Sequence, residues 1–208
     1  MAAKAARFRF DAGAHAYYVG ARRLPSITQV LAATAQPSGP GNGRAYYTAE
    51  AAERGTRIHA ATARYDLGAG WGEDVLAVDV PRVRAYAAFL LQHQPRYDEI
   101  EQPRWSRTYG FAGTPDRVGR WPDGRHFVLD LKTGPAQPDH GLQTAAQVLL
   151  THTKPAACLR YTLHLRDDET YRLLRWDDPN DFTAFYMRLE QFKRTHKEDT
   201  DGEDRGDD

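Results

Sequence analysis

A single cysteine, Cys158, stands in the whole chain. That excludes an internal disulfide, a cysteine-only metal site and an iron–sulfur cluster. Cys158 lies in the apolar run ACLRYTLHL and reads as a small buried hydrophobe, not as a redox or nucleophilic centre. Long hydrophobic runs are missing too. No stretch approaches the roughly 18 apolar residues of a membrane helix. The opening MAAKAARFRFDAG lacks the apolar stretch of about 7–15 residues that marks a secretory signal. The expectation is a soluble, cytoplasmic protein with no membrane partner. The chain has neither GxGxxG nor a P-loop, so a phosphate-cradling glycine loop is excluded.

Net charge is also absent, with 28 basic residues against 28 acidic ones. The balance hides an asymmetry. Residues 196–208 carry seven acidic and two basic side chains, a net of −5, which leaves +5 on the rest. A mildly basic body with an acidic tail is compatible with a nucleic-acid partner but does not by itself demonstrate one. The tail HKEDTDGEDRGDD holds no apolar residue. The reading is therefore one domain over 1–195 and a disordered acidic segment over 196–208. At 208 residues and 41% hydrophobic, the chain suffices for one core.

The N-terminal stretch FRFDAGAHAYYVGARRLPSITQVL predicts two short strands around Gly20, then a helix entered through Pro25 and Ser26. QPSGPGNG at 36–43 reads as a loop inside the domain. A helix is predicted over 48–67, with Gly55 inside it marking close packing or a break. A second begins after Asp79, with Val83, Tyr86, Ala87 and Leu90 at i, i+3, i+4, i+7. EIEQPRWSR, GTPDRVGRW and RHFVLDLK then predict three strands. A helix over 139–152, the hairpin CLRYTLHLRDDETYRLLRW and a final helix over 178–197 complete the chain. The fold class is α/β, a mixed β-sheet flanked by helices.

The turn Pro122-Asp123-Gly124 fixes the register of the central hairpin. Pro122 suits the second position of a type I turn, and Gly124 the left-handed position that follows. Trp121 then pairs with Arg125, and Asp116 falls opposite Asp130, with Cβ atoms about 5 Å apart. Two carboxylates facing each other across a ladder repel, and a divalent cation between them resolves the repulsion. Oxygen ligands point to Mg²⁺, with Mn²⁺ as substitute. Along the second strand Val128, Asp130 and Lys132 share one face, while Phe127, Leu129 and Leu131 share the other. A carboxylate and an ammonium thus stand about 7 Å apart, a metal ligand beside a charge-stabilising or proton-transfer group. An aspartate and a lysine at i, i+2 are also an ordinary solvated strand face with a weak ion pair. The paired register, the glycines and the apolar run argue for more.

GTPDRVGRW followed by FVLDLKTG resembles the PD-(D/E)xK nuclease superfamily, in its RecB-like and phage-exonuclease branch. Pro115-Asp116 matches the PD element, Asp130-Leu131-Lys132 the DxK element, and Thr133-Gly134 extends it. RGTRIH resembles the first-helix motif in which a glycine, here Gly55, precedes a metal-binding histidine, here His59. Glu101 resembles the acidic position on the strand before the hairpin. QTAAQ resembles the helical QxxxY element, with Gln143 matching and Gln147 in place of the tyrosine. LPSITQVL looks like the opening of phage-encoded members. The resemblance spans most of residues 24–147.

It implies a restriction-endonuclease-like core and Mg²⁺-dependent hydrolysis of DNA. Asp116, Asp130, the Leu131 carbonyl and His59 would surround the metal, and Glu101 would be the further acidic group. Lys132 would orient the attacking water or stabilise developing charge, and Gln143 would contact the DNA backbone or water. The implied role is an exonuclease or end-processing nuclease of recombination or repair. A single-strand-annealing or other recombination protein would be its candidate partner. A catalytically inactive DNA- or protein-binding module on the same fold is the alternative. The other histidines, among them His126, His140, His152 and His164, show no ligand spacing.

Overall fold

The computed structural model describes residues 6–34, 48–151 and 155–202, with side chains through residue 196. In chain order the elements are β1 (Phe8–Asp11), β2 (Ala16–Val19), β3 (Arg22–Leu24), α1 (Ile27–Ala33), α2 (Ala49–Asp66) and α3 (Val80–His93). There follow β4 (Arg96–Ile100), β5 (Arg104–Ser106), β6 (Phe111–Gly113), β7 (Arg117–Arg120) and β8 (His126–Lys132). The chain continues with α4 (Asp139–Thr151), β9 (Leu159–Leu165), β10 (Tyr171–Arg175) and α5 (Asn180–Gly202). The 36–43 loop lies outside the described residues.

Five strands form a mixed sheet in the order β10-β9-β8-β7-β4. Only β8 and β9 are parallel, and α4 is the crossover between them. β1, β2 and β3 make a separate antiparallel meander, and β5 and β6 a two-stranded ribbon. The sequence predicts two strands where the meander has three. The missed hairpin is closed by a side chain: Asp11 Oδ1 accepts the Ala14 amide at 3.0 Å and tightens the AGAH turn.

The central hairpin holds the expected register, with Arg117 opposite Leu129 and Arg120 opposite His126. The Trp121 amide bonds the Arg125 carbonyl at 3.0 Å, and Gly124 takes φ +85°. Gly119 is required for another reason. A Cβ there would stand 2.2 Å from the Arg96 carbonyl oxygen, where β4 bulges against β7.

Both faces of β8 are covered, which corrects the picture of one apolar face and one open face. Phe127, Leu129 and Leu131 pack under α2 and α3 with Ile58, Tyr86 and Phe89. Val128, also fully buried, packs on the other side with Val118, Val148 and Cys158. Burying each of these side chains stabilises the fold by roughly 1.5–3 kcal/mol. On α3 Val83, Tyr86 and Phe89 are buried, and Leu90 is partly buried against the same core. Cys158 is the buried hydrophobe expected, its thiol pushed up to about 12 by burial.

Two expected strands are each broken at the site. EIEQPRWSR splits into β4 and β5 because Glu101 adopts φ +48° and Pro103 offers no amide to a ladder. GTPDRVGRW splits into β6 and β7 at Thr114-Pro115-Asp116. Gly55 breaks nothing: α2 runs through it, and an added Cβ would sit 3.9 Å from Thr133 Oγ1. The last helix reaches Gly202, entering the acidic stretch expected to be disordered. Residues 203–208 lie outside the described residues. Among the described residues, no helix is long and apolar enough to cross a membrane.

Candidate metal centre

The two strand breaks, the middle of α2 and the end of β8 meet at one cavity. Where β7 begins, Asp116 has left the ladder, and its side chain does the bonding instead. Asp116 Oδ2 accepts the Leu131 amide at 2.6 Å, which points Oδ1 at His59, 3.5 Å from Nδ1. Glu101 is held by its own backbone, the Glu101 amide donating to the Asp116 carbonyl at 3.0 Å. Its left-handed φ, uncommon for a side chain of this size, turns the carboxylate to 3.4 Å from the same Nδ1. Ligand atoms of His59, Glu101 and Asp116 lie within 4.8 Å of one another.

The opposite nitrogen of His59, Nε2, lies 3.1 Å from the Leu131 carbonyl oxygen. An acceptor on one side and two carboxylates on the other favour a ring protonated on both nitrogens. Burial works against that charge, but the facing Asp116 and Glu101 carboxylates prevail and hold His59 up at about 9. Burial also raises Asp116, to about 7, with His59 pulling it down while Asp130 and Glu101 push it up.

Asp130 and Lys132 lie beside this trio and are engaged differently. Asp130 Oδ2 is 2.5 Å from the Lys132 ammonium. Oδ1 accepts from Gln143 Nε2 and from Gln147 Nε2, each at 2.8 Å. Gln143 Oε1 in turn accepts from Lys132 Nζ at 2.9 Å. Burial opposes the Asp130 charge, yet the charge and hydrogen bond of Lys132 hold its pKa below the usual carboxylate value.

All the residues singled out from the sequence therefore converge, in two groups. Asp116 stands with His59 and Glu101, whereas Asp130 stands with Lys132 and Gln143. The Leu131 carbonyl is spoken for by His59. Gln147 turns out to be a second grip on Asp130, one helical turn from Gln143. That i, i+4 pair on the helix following β8 is the signal that could have revealed it.

Sequence reasoning missed the layer behind the carboxylates. Arg117 is fully buried. Its guanidinium donates to Asp66 Oδ2 at 2.6 Å, the Asp116 carbonyl at 2.7 Å, Thr62 Oγ1 at 3.1 Å and Glu101 Oε1 at 3.3 Å. The rings of Tyr86 and Tyr97 lie 6.0 and 5.7 Å from it, and Tyr86 also donates to Asp66 Oδ2 at 2.6 Å. A readable signal existed: the hairpin register puts Arg117 opposite Leu129, on the core side.

The pH dependence of the metal-free protein follows from His59. Its folded pKa lies above the unfolded value of 6.5, so the stability that protonation of His59 contributes is fully present below pH 6.5 and is lost as pH rises through about 9. Urea unfolding in EDTA across that window should show wild type losing stability relative to His59→Asn. If both proteins respond to pH alike, the imidazolium pairing is not what stabilises this site.

No family model matches the chain, and no curated protein is similar to it. Solved structures are similar to it, two of them as follows. One is the alkaline exonuclease LHK-Exo of Laribacter hongkongensis, 18% identical with a TM-score of 0.35; the match covers 73% of this chain and 92% of that one. The other is LHK-Exo in complex with dAMP, 17% identical with a TM-score of 0.34, covering 77% and 99%. At these values the functional reading rests on the residues of the site.

Proposed function

We propose that the chain is a divalent-metal-dependent DNA nuclease of the PD-(D/E)xK kind, cutting from DNA ends. The observation that carries this is the His59–Glu101–Asp116 cluster, open to a cavity and flanked by the Asp130–Lys132 pair. The two carboxylates are oxygen donors suited to Mg²⁺ or Mn²⁺, and the imidazole adds a softer third donor. The side chains also read as a set waiting for positive charge. Asp116 is held well above its ordinary pKa, and Gln147, which lines the cavity, has a buried Oε1 without a hydrogen-bond partner among the described residues.

His59 would bind through Nδ1 after losing that proton, while the Leu131 carbonyl keeps the Nε2–H and orients the ring. Glu101 and Asp116 would supply oxygen ligands, and Asp130 would complete the charge balance on the Lys132 side. A bound cation would contribute polarisation of the scissile phosphate and a water of lowered pKa. Lys132, held in place by Asp130 and Gln143, would orient that water or stabilise charge on the phosphate. The products are a phosphate-ended and a hydroxyl-ended strand.

End dependence is what the resemblance to phage exonucleases implies, and low sequence preference is what the described elements support. No described element resembles a groove-entering recognition helix, so contacts fall mainly on phosphates, which position DNA without reading it. Linear duplex and covalently closed circles of one sequence should be compared with Mg²⁺, with Mn²⁺ and in EDTA. The linear DNA should be degraded with either metal and spared in EDTA. Discrete fragments from the closed circle would establish a site-specific endonuclease instead, and full activity in EDTA would falsify the metal assignment.

A further inference from the structure

The cavity beside the cluster has a volume of about 460 Å³, and the wall away from the five-stranded sheet comes from the N-terminal meander. Phe10, His15 and Tyr17 line it. Phe10 stacks on Tyr17 with centroids 4.8 Å apart, and His15 meets Phe10 edge-on at 5.4 Å. Phe8 backs the group, stacked with both Tyr17 and Trp105. The Tyr17 hydroxyl is 2.9 Å from Thr114 Oγ1, two residues before Asp116, which ties the aromatic wall to the carboxylates. Phe10 is only partly buried and His15 is exposed. Arg22, exposed, shares the Phe8–Tyr17 face of the small sheet, whereas Arg9 and Arg23 stand with Tyr18 on its other face.

The nuclease reading assigns this wall no role. Its chemistry is that of sites that hold single-stranded nucleic acid: aromatic faces for bases, with cationic side chains beside them for phosphates. We propose that Phe10 and His15 form a stacking site for one unpaired nucleobase next to the phosphate to be cut. Arg22, on the same face of the meander, would then meet a neighbouring phosphate. This deepens the nuclease reading and rests on it.

A base inside a duplex has both faces stacked and its edge paired, so it can offer no face to Phe10. The preferred substrate is therefore a single-stranded or frayed end. Every base has a π-face, so the site tolerates any sequence, in keeping with contacts made mainly to phosphates.

The test pairs a protein change with a substrate change. Labelled single-stranded oligonucleotides would carry either a normal base or an abasic residue beside the cleaved phosphate. Phe10→Ala should raise KM about tenfold on the normal strand, with kcat within about twofold, and should change little on the abasic strand. Phe10→Trp should restore KM, and His15→Ala, at an exposed position, should reproduce a smaller part of the effect. Equal losses on both substrates would mean that Phe10 only supports Tyr17, and unchanged kinetics would likewise overturn the site.

Quenching of a 2-aminopurine placed at the stacked position reads binding without cleavage, in EDTA. Wild type should quench it, and Phe10→Ala should at least halve the effect. Protein that quenches in this way but cuts no DNA sinks the nuclease reading and keeps the base site. Protein that cuts DNA, while Phe10→Ala alters neither readout, does the reverse.

Discussion

Asp116→Asn is expected to lower metal-dependent DNA hydrolysis by about 10³-fold or more, roughly 4 kcal/mol of barrier, while leaving the metal-free protein at least as stable. The substitution keeps an oxygen to accept the Leu131 amide and removes only the charge. That charge is what the site resists, since burial and the neighbouring Asp130 and Glu101 carboxylates hold Asp116 up at about 7. Removing it relieves the metal-free fold and disables the site, the usual opposition between stability and activity. Asp130→Asn should be equally inactive but less stable. It leaves the Lys132 ammonium, only 21% exposed, without the carboxylate 2.5 Å away. Single-turnover cleavage and urea unfolding, run on both variants, check the pair. An active Asp116→Asn protein, or one distinctly less stable than wild type, would contradict the assignment of Asp116 to the cation.

Arg117→Met is expected to destabilise the fold by about 3–5 kcal/mol. The Asp66 carboxylate, 3% exposed, would lose its cation, and Glu101 would lose a donor holding it toward His59. Desolvation already pushes the Asp66 pKa up even with Arg117 present. Adding Asp66→Asn to Arg117→Met should therefore recover part of the loss, because no unpaired buried charge remains. Lysine is a poor replacement, since one ammonium cannot span the four acceptors that the guanidinium reaches. Equilibrium unfolding of the single and double variants gives the coupling directly. A single-variant cost under about 1 kcal/mol would mean that water reaches Asp66 and the network carries little of the fold's stability.

Much of this arrangement could be read from the chain because its signals are local. Pro122-Asp123-Gly124 set the hairpin register from Arg117 to Arg120, but the expected pairing of Asp116 with Asp130 fails because Asp116 lies outside the ladder. Ala-rich α2, amphipathic α4 and the β9–β10 hairpin followed from periodicity and turn residues. What escaped was decided by distant partners. Pro103 was a visible signal for a break in EIEQPRWSR, but the break's place at Glu101 depends on a backbone bond to Asp116. The grouping of Glu101 with His59, and of Asp130 with two glutamines, depends on how α2 and α4 lie against opposite faces of β8. The burial of Arg117 was legible from the hairpin register, but its counter-ion was not, because Asp66 ends a helix far upstream. The strand β1 was missed because it is four residues long and owes its hairpin to one aspartate side chain.

The separations within the site have a consequence for synthesis on the ribosome. His59 meets Leu131 across 72 residues, Arg117 meets Asp66 across 51, and Tyr17 meets Thr114 across 97. Contacts of such range form late, because a long chain segment must be closed before any of them is made. Asp130 is fixed only when α4 has emerged, and β8 is flanked on both sides only when β9 follows. A nascent chain that already contains every acidic residue of the cluster therefore still lacks the assembled cluster, and the activity proposed for it would await the finished sheet.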